Sequence, residues 1–158
     1  MPSPKHPPTF IWRLMRRMSR RVIRLVAAGR GPAVVLVLTT TGRKSGLPRQ
    51  TPLQYEQVGD DFYIASARGP GADWFRNLQA EPRVAVLVGG RQFPAQAEAV
   101  TDPARIADFL ALRLQQRPRM VGLIMRLEGF PLRYTRADLE QFAAGKALAV
   151  LHPLPPAE

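Results

Sequence analysis

The segment VVLVLTTTGRKSGLPRQTPL, from Val34 to Leu53, decides the fold of this chain of 158 residues. The apolar, β-branched residues over 33–40 predict a buried strand, and residues 50–58 predict a second strand. The stretch between them holds two glycines and the cations Arg43, Lys44 and Arg49, without an acidic residue to neutralise them. The segment therefore predicts a β-rich domain with a positively charged turn at its rim.

Short strands and helices are predicted along the rest of the chain. The predicted strands cover residues 61–67, 84–89, 93–100 and 147–153, and the predicted helices cover 73–80, 103–116 and 135–145. About five to seven short, largely antiparallel strands with a few helices indicate a small barrel, mainly β with helices (α+β). The strict alternation of strand and helix that indicates a doubly wound sheet is missing.

An N-terminal arm is predicted at residues 1–31, ahead of a barrel domain at 32–153 and a tail at 154–158. Apolar residues recur at helical spacing between Ile11 and Val26, and six arginines fill the positions between them. A basic amphipathic helix of this kind lies on an anionic membrane, or it packs its apolar stripe on the barrel or on a second subunit. Residues 10–28 are thus a candidate contact with an anionic membrane surface.

Positive charge is concentrated in the first third of the chain. Residues 1–55 hold eleven Lys or Arg and no acid, which accounts for the whole net charge of +11. Such a field attracts a lipid surface, a phosphorylated ligand or nucleic acid, but no nucleic-acid-reading motif is present. No apolar stretch reaches the length of a secretion signal or a membrane span, so we expect a cytoplasmic protein. If the arm binds lipid, the protein is peripheral at the inner face of the cell membrane.

Several kinds of active site are disfavoured by composition. The chain has no cysteine, which excludes disulfides, thiolate chemistry and sulfur-ligated metals. His6 and His152 lie near opposite ends, which disfavours a histidine metal site and a Ser-His-acid triad, and no Gly-x-Ser-x-Gly elbow occurs. We therefore predict no metal.

The cationic turn matches neither common phosphate-binding motif. A P-loop requires Gly-Lys-Ser/Thr, and here Arg43 precedes Lys44. The pairs Gly29-x-Gly31 and Gly69-x-Gly71 lack the third glycine of a dinucleotide fingerprint. Glycine backbone amides, hydroxyls and cations still form anion sites in other loops. From the residues alone, the turn is either such a site or a solvated basic hairpin.

Three stretches in the centre of the chain resemble the deazaflavin-dependent nitroreductase family, the small split β-barrel proteins of the flavin/deazaflavin oxidoreductase group. They are LVLTTTGRKSGLPRQTPL (36–53), GDDFYIASARG (59–69) and DWFRNLQAEPRVAVLVGG (73–90). The resemblance implies an antiparallel split barrel that binds coenzyme F420, a deazaflavin with a phosphate and a glutamate tail. It also implies hydride transfer to quinones or nitro compounds, and a homodimer.

The same resemblance implies the residues of the cofactor site. The cations and Ser45 would meet the phosphate and the tail, residues 50–54 would run beside the ligand, residues 64–67 would face the deazaflavin ring, and the WFRN segment would close the pocket. The full set is Arg43, Lys44, Ser45, Arg49, Gln50, Thr51, Pro52, Leu53, Gln54, Ile64, Ala65, Ser66, Ala67, Asp73, Trp74, Phe75, Arg76 and Asn77. Ser66 is also a candidate catalytic donor to a substrate oxygen; the alternative is a serine satisfied within its strand.

The substrate side departs from the family pattern. Family members place tyrosines after the long helix, whereas residues 117–130 contain none and offer Met120, Leu123 and Met125. An apolar wall holds a hydrophobic acceptor but cannot donate a proton, which predicts quinones as better acceptors than nitro compounds. Two alternatives stay open: a split-barrel binder of FMN, haem or fatty acid without reductase activity, and a membrane-surface binding protein acting through the arginine-rich helix.

Overall fold

The computed structural model describes residues 9–31, 34–66 and 68–155 of the chain. Seven strands and five helices form within these residues, with one 3₁₀ turn at Gly69–Gly71. The strands are β1 (Val35–Thr41), β2 (Pro48–Gln54), β3 (Glu56–Val58), β4 (Asp61–Ser66), β5 (Arg83–Val88), β6 (Arg91–Val100) and β7 (Ala147–Pro153). The helices are α1 (Thr9–Ala27), α2 (Asp73–Ala80), α3 (Pro103–Gln116), α4 (Pro118–Leu127) and α5 (Arg136–Ala143).

The seven strands form one antiparallel sheet in the order β2-β1-β5-β6-β7-β4-β3. A single residue, Tyr55, separates β2 from β3, so one bent stretch of chain pairs with β1 in its first part and with β4 in its second. Because this stretch joins the two edge strands of the sheet, β2 and β3, the sheet must curl into a barrel. The predicted strand over 50–58 is thus broken at Tyr55, where the chain changes partners.

Two hydrophobic cores lie on opposite faces of the curled sheet. The interior core is formed by inward residues of the strands, such as Leu36 and Ile64, together with Trp74, Phe75 and Leu78 of α2. The exterior core lies between the sheet and helices α3, α4 and α5. Helix α2 therefore closes the barrel interior, while the three later helices cover its outer face.

The hairpin between β1 and β2 has a tightly folded turn. The amide of Gly42 donates to the Leu47 carbonyl oxygen at 2.8 Å, and the amide of Gly46 donates to the Gly42 carbonyl oxygen at 2.8 Å. Gly46 has φ +69°, and a Cβ on Gly42 would lie only 2.7 Å from the Ser45 Oγ. Both glycines are therefore needed for the turn that presents the cations.

Most helix predictions are confirmed. Helix α3 has the predicted bounds and is capped by Asp102, and α5 begins with the predicted capping box of Thr135 and Asp138. Helix α4 was not predicted, because Pro118 and Gly122 in this short segment are residues typical of turns. The basic helix of the arm is present, and its last turn packs on the barrel through Val26, which is 2% exposed. The rest of the predicted loose arm, residues 1–8, lies outside the described residues.

Candidate functional site

A cationic cleft lies between the β1–β2 hairpin and α2. It has a volume of about 510 Å³ and contains nine of the predicted cofactor residues together with Gly42. The nine are Arg43, Lys44, Ser45, Arg49, Gln50, Thr51, Asp73, Trp74 and Asn77. The tight hairpin brings the cations to one side of the cleft, and the first turn of α2 forms the other side. The structure thus brings half of the predicted cofactor residues together in one place.

Arg43 is held across this cleft by α2. Its Nη1 donates to the Asn77 Oδ1 at 2.8 Å, and its Nη2 forms an ion pair with the Asp73 Oδ1 at 3.0 Å. Its backbone amide also approaches the Asn77 Oδ1 at 3.3 Å. The Arg43 side chain is 24% exposed. Its charge is therefore largely neutralised by α2, and these contacts hold the hairpin against α2.

Asn77 joins the hairpin to the end of β1. It is 5% exposed, and its Nδ2 donates to the Thr40 Oγ1 at 3.3 Å. Thr40 is itself 1% exposed, so both side chains exchange their hydrogen bonds inside the protein. We call Thr40, Arg43, Asp73 and Asn77 the hairpin clamp. Thr40 was missed by the sequence reasoning, because a threonine in a strand gives no local signal of a buried partner 37 residues away.

Lys44 and Arg49 differ from Arg43 in having no acid beside them. Both residues are exposed, and among the described residues neither forms an ion pair. Their charges, with the Ser45 hydroxyl and the loop amides, line the open side of the cleft. Two unpaired cations in a cleft of this size fit a ligand with a phosphate and carboxylates.

A second, more apolar cavity lies on the outer face of the sheet, against α3, α4 and α5. It has a volume of about 570 Å³, and its walls include Ala65, Ser66 and Met125. A smaller hollow of about 340 Å³ contains Gln54 and Met120. Both share the residues Ala65, Phe109, Arg113 and Ile124, so they adjoin each other. Of the predicted ring-facing and substrate-side residues, these two spaces therefore include Ala65, Ser66, Met120 and Met125.

Arg113 is the charged group on the wall that the two spaces share. Its Nε lies 3.5 Å from the Glu56 Oε1, is buried, and has no hydrogen-bond partner. Arg117 lies 3.9 Å from the same carboxylate oxygen, and the Arg113 guanidinium lies 5.8 Å from the centre of the Phe109 ring. Sequence reasoning missed this cluster, because an arginine on a helix normally predicts a solvated face.

Two phenols also line the smaller hollow. They are Tyr55, at the bend between β2 and β3, and Tyr63 of β4, whose ring stacks on Phe109 with 5.3 Å between centroids. The tyrosine-free stretch at 117–130 therefore does not leave this region without phenols. They were missed because they come from strands that are distant in sequence from α4.

Ser66 is fixed by its own loop. Its hydroxyl donates to the Gly69 carbonyl oxygen at 2.7 Å, and the residue is 7% exposed. In this arrangement the hydroxyl proton is used within the protein, which favours the structural role. Its role as a catalytic donor stays a prediction.

Six predicted residues line none of these three spaces, and their part in the site stays a prediction. Ile64 and Phe75 are 0% exposed in the barrel interior, because alternation along β4 turns Ile64 inward and α2 turns Phe75 towards the core. Leu123 is 57% exposed on the outer side of α4, and Arg76 is exposed on α2. Pro52 and Leu53 are half-buried, with Leu53 packed on the interior core, and Ala67 lies outside the described residues.

His152 belongs to a separate charged cluster on the sheet. Its Nε2 lies 3.1 Å from the Glu98 Oε2, and its Nδ1 lies 3.0 Å from the Asp61 Oδ1. The hydrogen bond to Glu98, with further help from Asp61, raises the pKa of His152. Hydrogen bonds from Arg105 and then His152 lower the pKa of Glu98. None of the cavities described above includes this cluster, so its effect is on stability.

The sequence profile of the F420H(2)-dependent quinone reductase family matches residues 12–121. This span includes the cationic cleft, β4, all of α3 and the start of α4. The chain belongs to this family. The family resemblance inferred from the sequence is thereby confirmed, and among the described residues no helix is long and apolar enough to cross a membrane.

One curated relative is the F420H(2)-dependent quinone reductase of Mycobacterium tuberculosis. It is 40% identical over 70 residues, which cover 41% of this chain and 46% of the relative. The chain thus spans about half the length of the curated relatives it matches.

Solved structures share the fold at low sequence identity. An F420-H2 dependent reductase, FDR-A, is 20% identical, covers 75% of this chain and 94% of its own, and has a TM-score of 0.50. A solved domain-swapped dimer is 18% identical, covers 92% of this chain and 100% of its own, and has a TM-score of 0.54. These similarities confirm the predicted antiparallel split barrel.

Proposed function

We propose that this protein is a reductase that uses reduced coenzyme F420 to reduce a hydrophobic, quinone-like acceptor. The observation that carries the proposal is the cationic cleft, where Lys44 and Arg49 have no acidic partner in the described part of the chain and Arg43 is fixed by α2. When bound, the deazaflavin supplies the hydride, and the protein supplies binding, orientation and electrostatics. Cytoplasmic location and homodimer formation stay predictions.

The residues of the cleft would hold the anionic part of the cofactor. Lys44, Arg49 and Ser45 offer charge-assisted and hydroxyl hydrogen bonds to a phosphate or a carboxylate. Trp74, which is 9% exposed, contributes an apolar surface to the wall of the same cleft. FMN also carries a phosphate, so it is the alternative ligand that the test must include.

The acceptor side would be the apolar cavity and the hollow beside it. Their shared wall carries the Arg113 guanidinium, whose buried Nε lies 3.5 Å from the Glu56 Oε1 and makes no hydrogen bond. An acceptor that takes up a hydride carries negative charge until a proton reaches it, and a preorganised cation stabilises that charge. We infer that Arg113 faces the reacting oxygen of the acceptor. The single proton that completes the reduction comes from water or from a phenol of the hollow.

Titration with the cofactor tests the cleft. The double variant Lys44→Gln/Arg49→Gln loses two charge-assisted contacts, each contributing about 1.5–3 kcal/mol, and exposure places them at the low end. We expect the Kd for reduced F420 to rise by about 100-fold. The rise should shrink at high salt, because exposed charges are screened. The matched control Arg83→Gln/Arg91→Gln removes two exposed cations that do not line the cleft. Equal affinity in both variants would refute the proposal, and tighter binding of FMN than of F420 would favour the alternative ligand.

Turnover tests the acceptor side. Arg113→Met should lower kcat with menadione by about 100-fold, which is the usual cost of one transition-state donor, while Kd for F420 stays unchanged. Arg113→Lys should recover part of the loss, because it restores the charge without the forked geometry. Since Arg113→Met leaves Glu56 with only the more distant Arg117, the variant Arg113→Met/Glu56→Gln provides the control for misfolding. Full turnover in Arg113→Met would remove Arg113 from the site.

The acceptor class is decided by a direct comparison. The apolar walls around Met120 and Met125 favour a flat, hydrophobic acceptor over a polar nitro compound. We therefore expect kcat/KM for menadione to exceed that for a nitroimidazole in the same assay. A clear preference for the nitro compound would refute the prediction that quinones are the better acceptors.

A further inference from the structure

Helix α4 presents an apolar stripe to solvent. Met120, Leu123, Ile124 and Leu127 follow one another at helical spacing and are 45%, 57%, 47% and 79% exposed. The opposite face of the same helix packs into the exterior core, where Val121 and Met125 are each 3% exposed. The stripe is therefore additional to the contacts that hold α4 in the fold.

Two more exposed apolar residues lie in the loop that follows α4. Leu132 is 71% exposed and Tyr134 is 46% exposed. Among the described residues, six of the nine large apolar side chains that are exposed lie between 120 and 134. We call these six residues the α4 patch. Contiguous apolar surface of this kind marks an interaction site, whereas single exposed apolar residues do not.

Positive charge surrounds the α4 patch. Arg119, Arg126 and Arg133 are exposed, and Arg117 lies at the start of the helix. Glu128 is the one acidic residue between 117 and 134, and it forms an ion pair with Lys146 at 3.0 Å. The surface around the patch is thus cationic without a compensating acid of its own.

We propose that the α4 patch docks on the surface of an anionic lipid bilayer. This inference rests on the proposed function, since it names where the hydrophobic acceptor comes from. Leucines that enter the interface between headgroups and acyl chains, flanked by arginines that meet anionic headgroups, are the chemistry of an interfacial helix. A second copy of the chain fits less well, because two patches face to face would bring arginines of like charge together.

The α4 patch adjoins the two spaces of the proposed acceptor side. Met120 and Ile124 belong to the patch and also line the hollow, and Ile124 lines the larger cavity as well. A hydrophobic acceptor dissolved in the bilayer could therefore reach the proposed acceptor side along α4 without crossing water. The sequence had pointed to α1 for membrane contact, but the last turn of α1 is packed on the barrel through Val26.

Liposome sedimentation of the full chain tests the docking. The double variant Leu127→Ser/Leu132→Ser removes the two most exposed leucines of the patch, neither of which lines a cavity described above. We expect its partition onto phosphatidylglycerol vesicles to fall at least about tenfold below that of the unchanged chain. The unchanged chain should bind phosphatidylcholine vesicles much more weakly, because they lack net negative charge.

A matched control separates α4 from α1. Leu25 is an exposed leucine of α1, 45% exposed, and Leu25→Ser makes the same chemical change outside the patch. Retained binding in Leu25→Ser with lost binding in the double variant supports the proposal. Lost binding in Leu25→Ser with retained binding in the double variant overturns it in favour of α1. Equal binding of all chains, or none by the unchanged chain, also overturns it.

Two further measurements keep this proposal apart from the proposed function. A lipophilic quinone embedded in vesicles should be reduced about tenfold more slowly by the double variant, while its kcat with water-soluble menadione and its Kd for F420 stay unchanged. Failure of the unchanged chain to bind F420 would refute the proposed function alone, because the vesicle result stands without the cofactor. Light scattering tests whether a second copy of the chain covers the α4 patch instead of lipid. A dimer that is lost in the double variant, with no lipid binding by the unchanged chain, would identify a second copy as the occupant.

Discussion

The hairpin clamp yields the sharpest test of the structure, through the substitution Asn77→Ala. The Asn77 Oδ1 accepts from the backbone amide and the Nη1 of Arg43, and its Nδ2 donates to the Thr40 Oγ1. Alanine removes all three bonds at once. It also leaves the Thr40 hydroxyl, which is 1% exposed, without this partner.

The expected cost follows from the number and burial of these bonds. A net contribution of about 1 kcal/mol for each bond gives about 3 kcal/mol, and the buried hydroxyl of Thr40 adds about 1 kcal/mol. We therefore expect the free energy of unfolding to fall by about 3–4 kcal/mol. For a domain of this length, the midpoint of thermal unfolding should drop by about 10 °C.

Guanidinium denaturation of Asn77→Ala, Asn77→Asp and Thr40→Val measures this cost. Asn77→Asp keeps an acceptor for both Arg43 donors, and the Thr40 hydroxyl can donate to the new carboxylate, so it should lose less than half as much stability as Asn77→Ala. Thr40→Val removes only one bond and should cost about 1–2 kcal/mol. A loss below about 0.5 kcal/mol in Asn77→Ala would refute the clamp, because surface substitutions already change stability by that amount.

Three further outcomes are expected from residues outside the clamp. The pKa of His152 is raised in the folded chain, so its stabilising contribution is complete below its ordinary value of 6.5 and is lost as pH rises through the raised pKa. In urea titrations, the difference in unfolding free energy between the unchanged chain and His152→Gln should therefore narrow from about pH 6 to pH 8. Gly69→Ala should cost about 2–3 kcal/mol in the same assay, because φ is +61° and the new Cβ would lie 2.7 Å from the Gly145 carbonyl oxygen. Ser66→Ala removes the bond to Gly69 and should lower the melting temperature by about 2–4 °C; an unchanged melting temperature would argue against that bond.

The local elements of this protein were set by short-range patterns. The apolar run of β1 and the glycines at 42 and 46 determine a strand and a tight turn through the conformations of a few neighbouring residues. Asp102 and Thr135 begin their helices through hydrogen bonds to amides two or three residues away. The presence of Arg43, Lys44 and Arg49 in one turn was visible for the same reason, since neighbours in a hairpin loop stay together whatever the rest of the chain does.

Only the tertiary structure decides which cation of that turn forms an ion pair within the protein. Arg43 is paired because α2, about thirty residues later, places Asp73 and Asn77 beside it, whereas Lys44 receives no such partner. The contact of Glu56 with Arg113 likewise joins the strand β3 to α3, and the buried and exposed faces of α4 exist only once the exterior core has formed. Sequence fixes which groups are available, but charge pairing and exposure depend on distances across the fold. Local patterns carry no information on those distances.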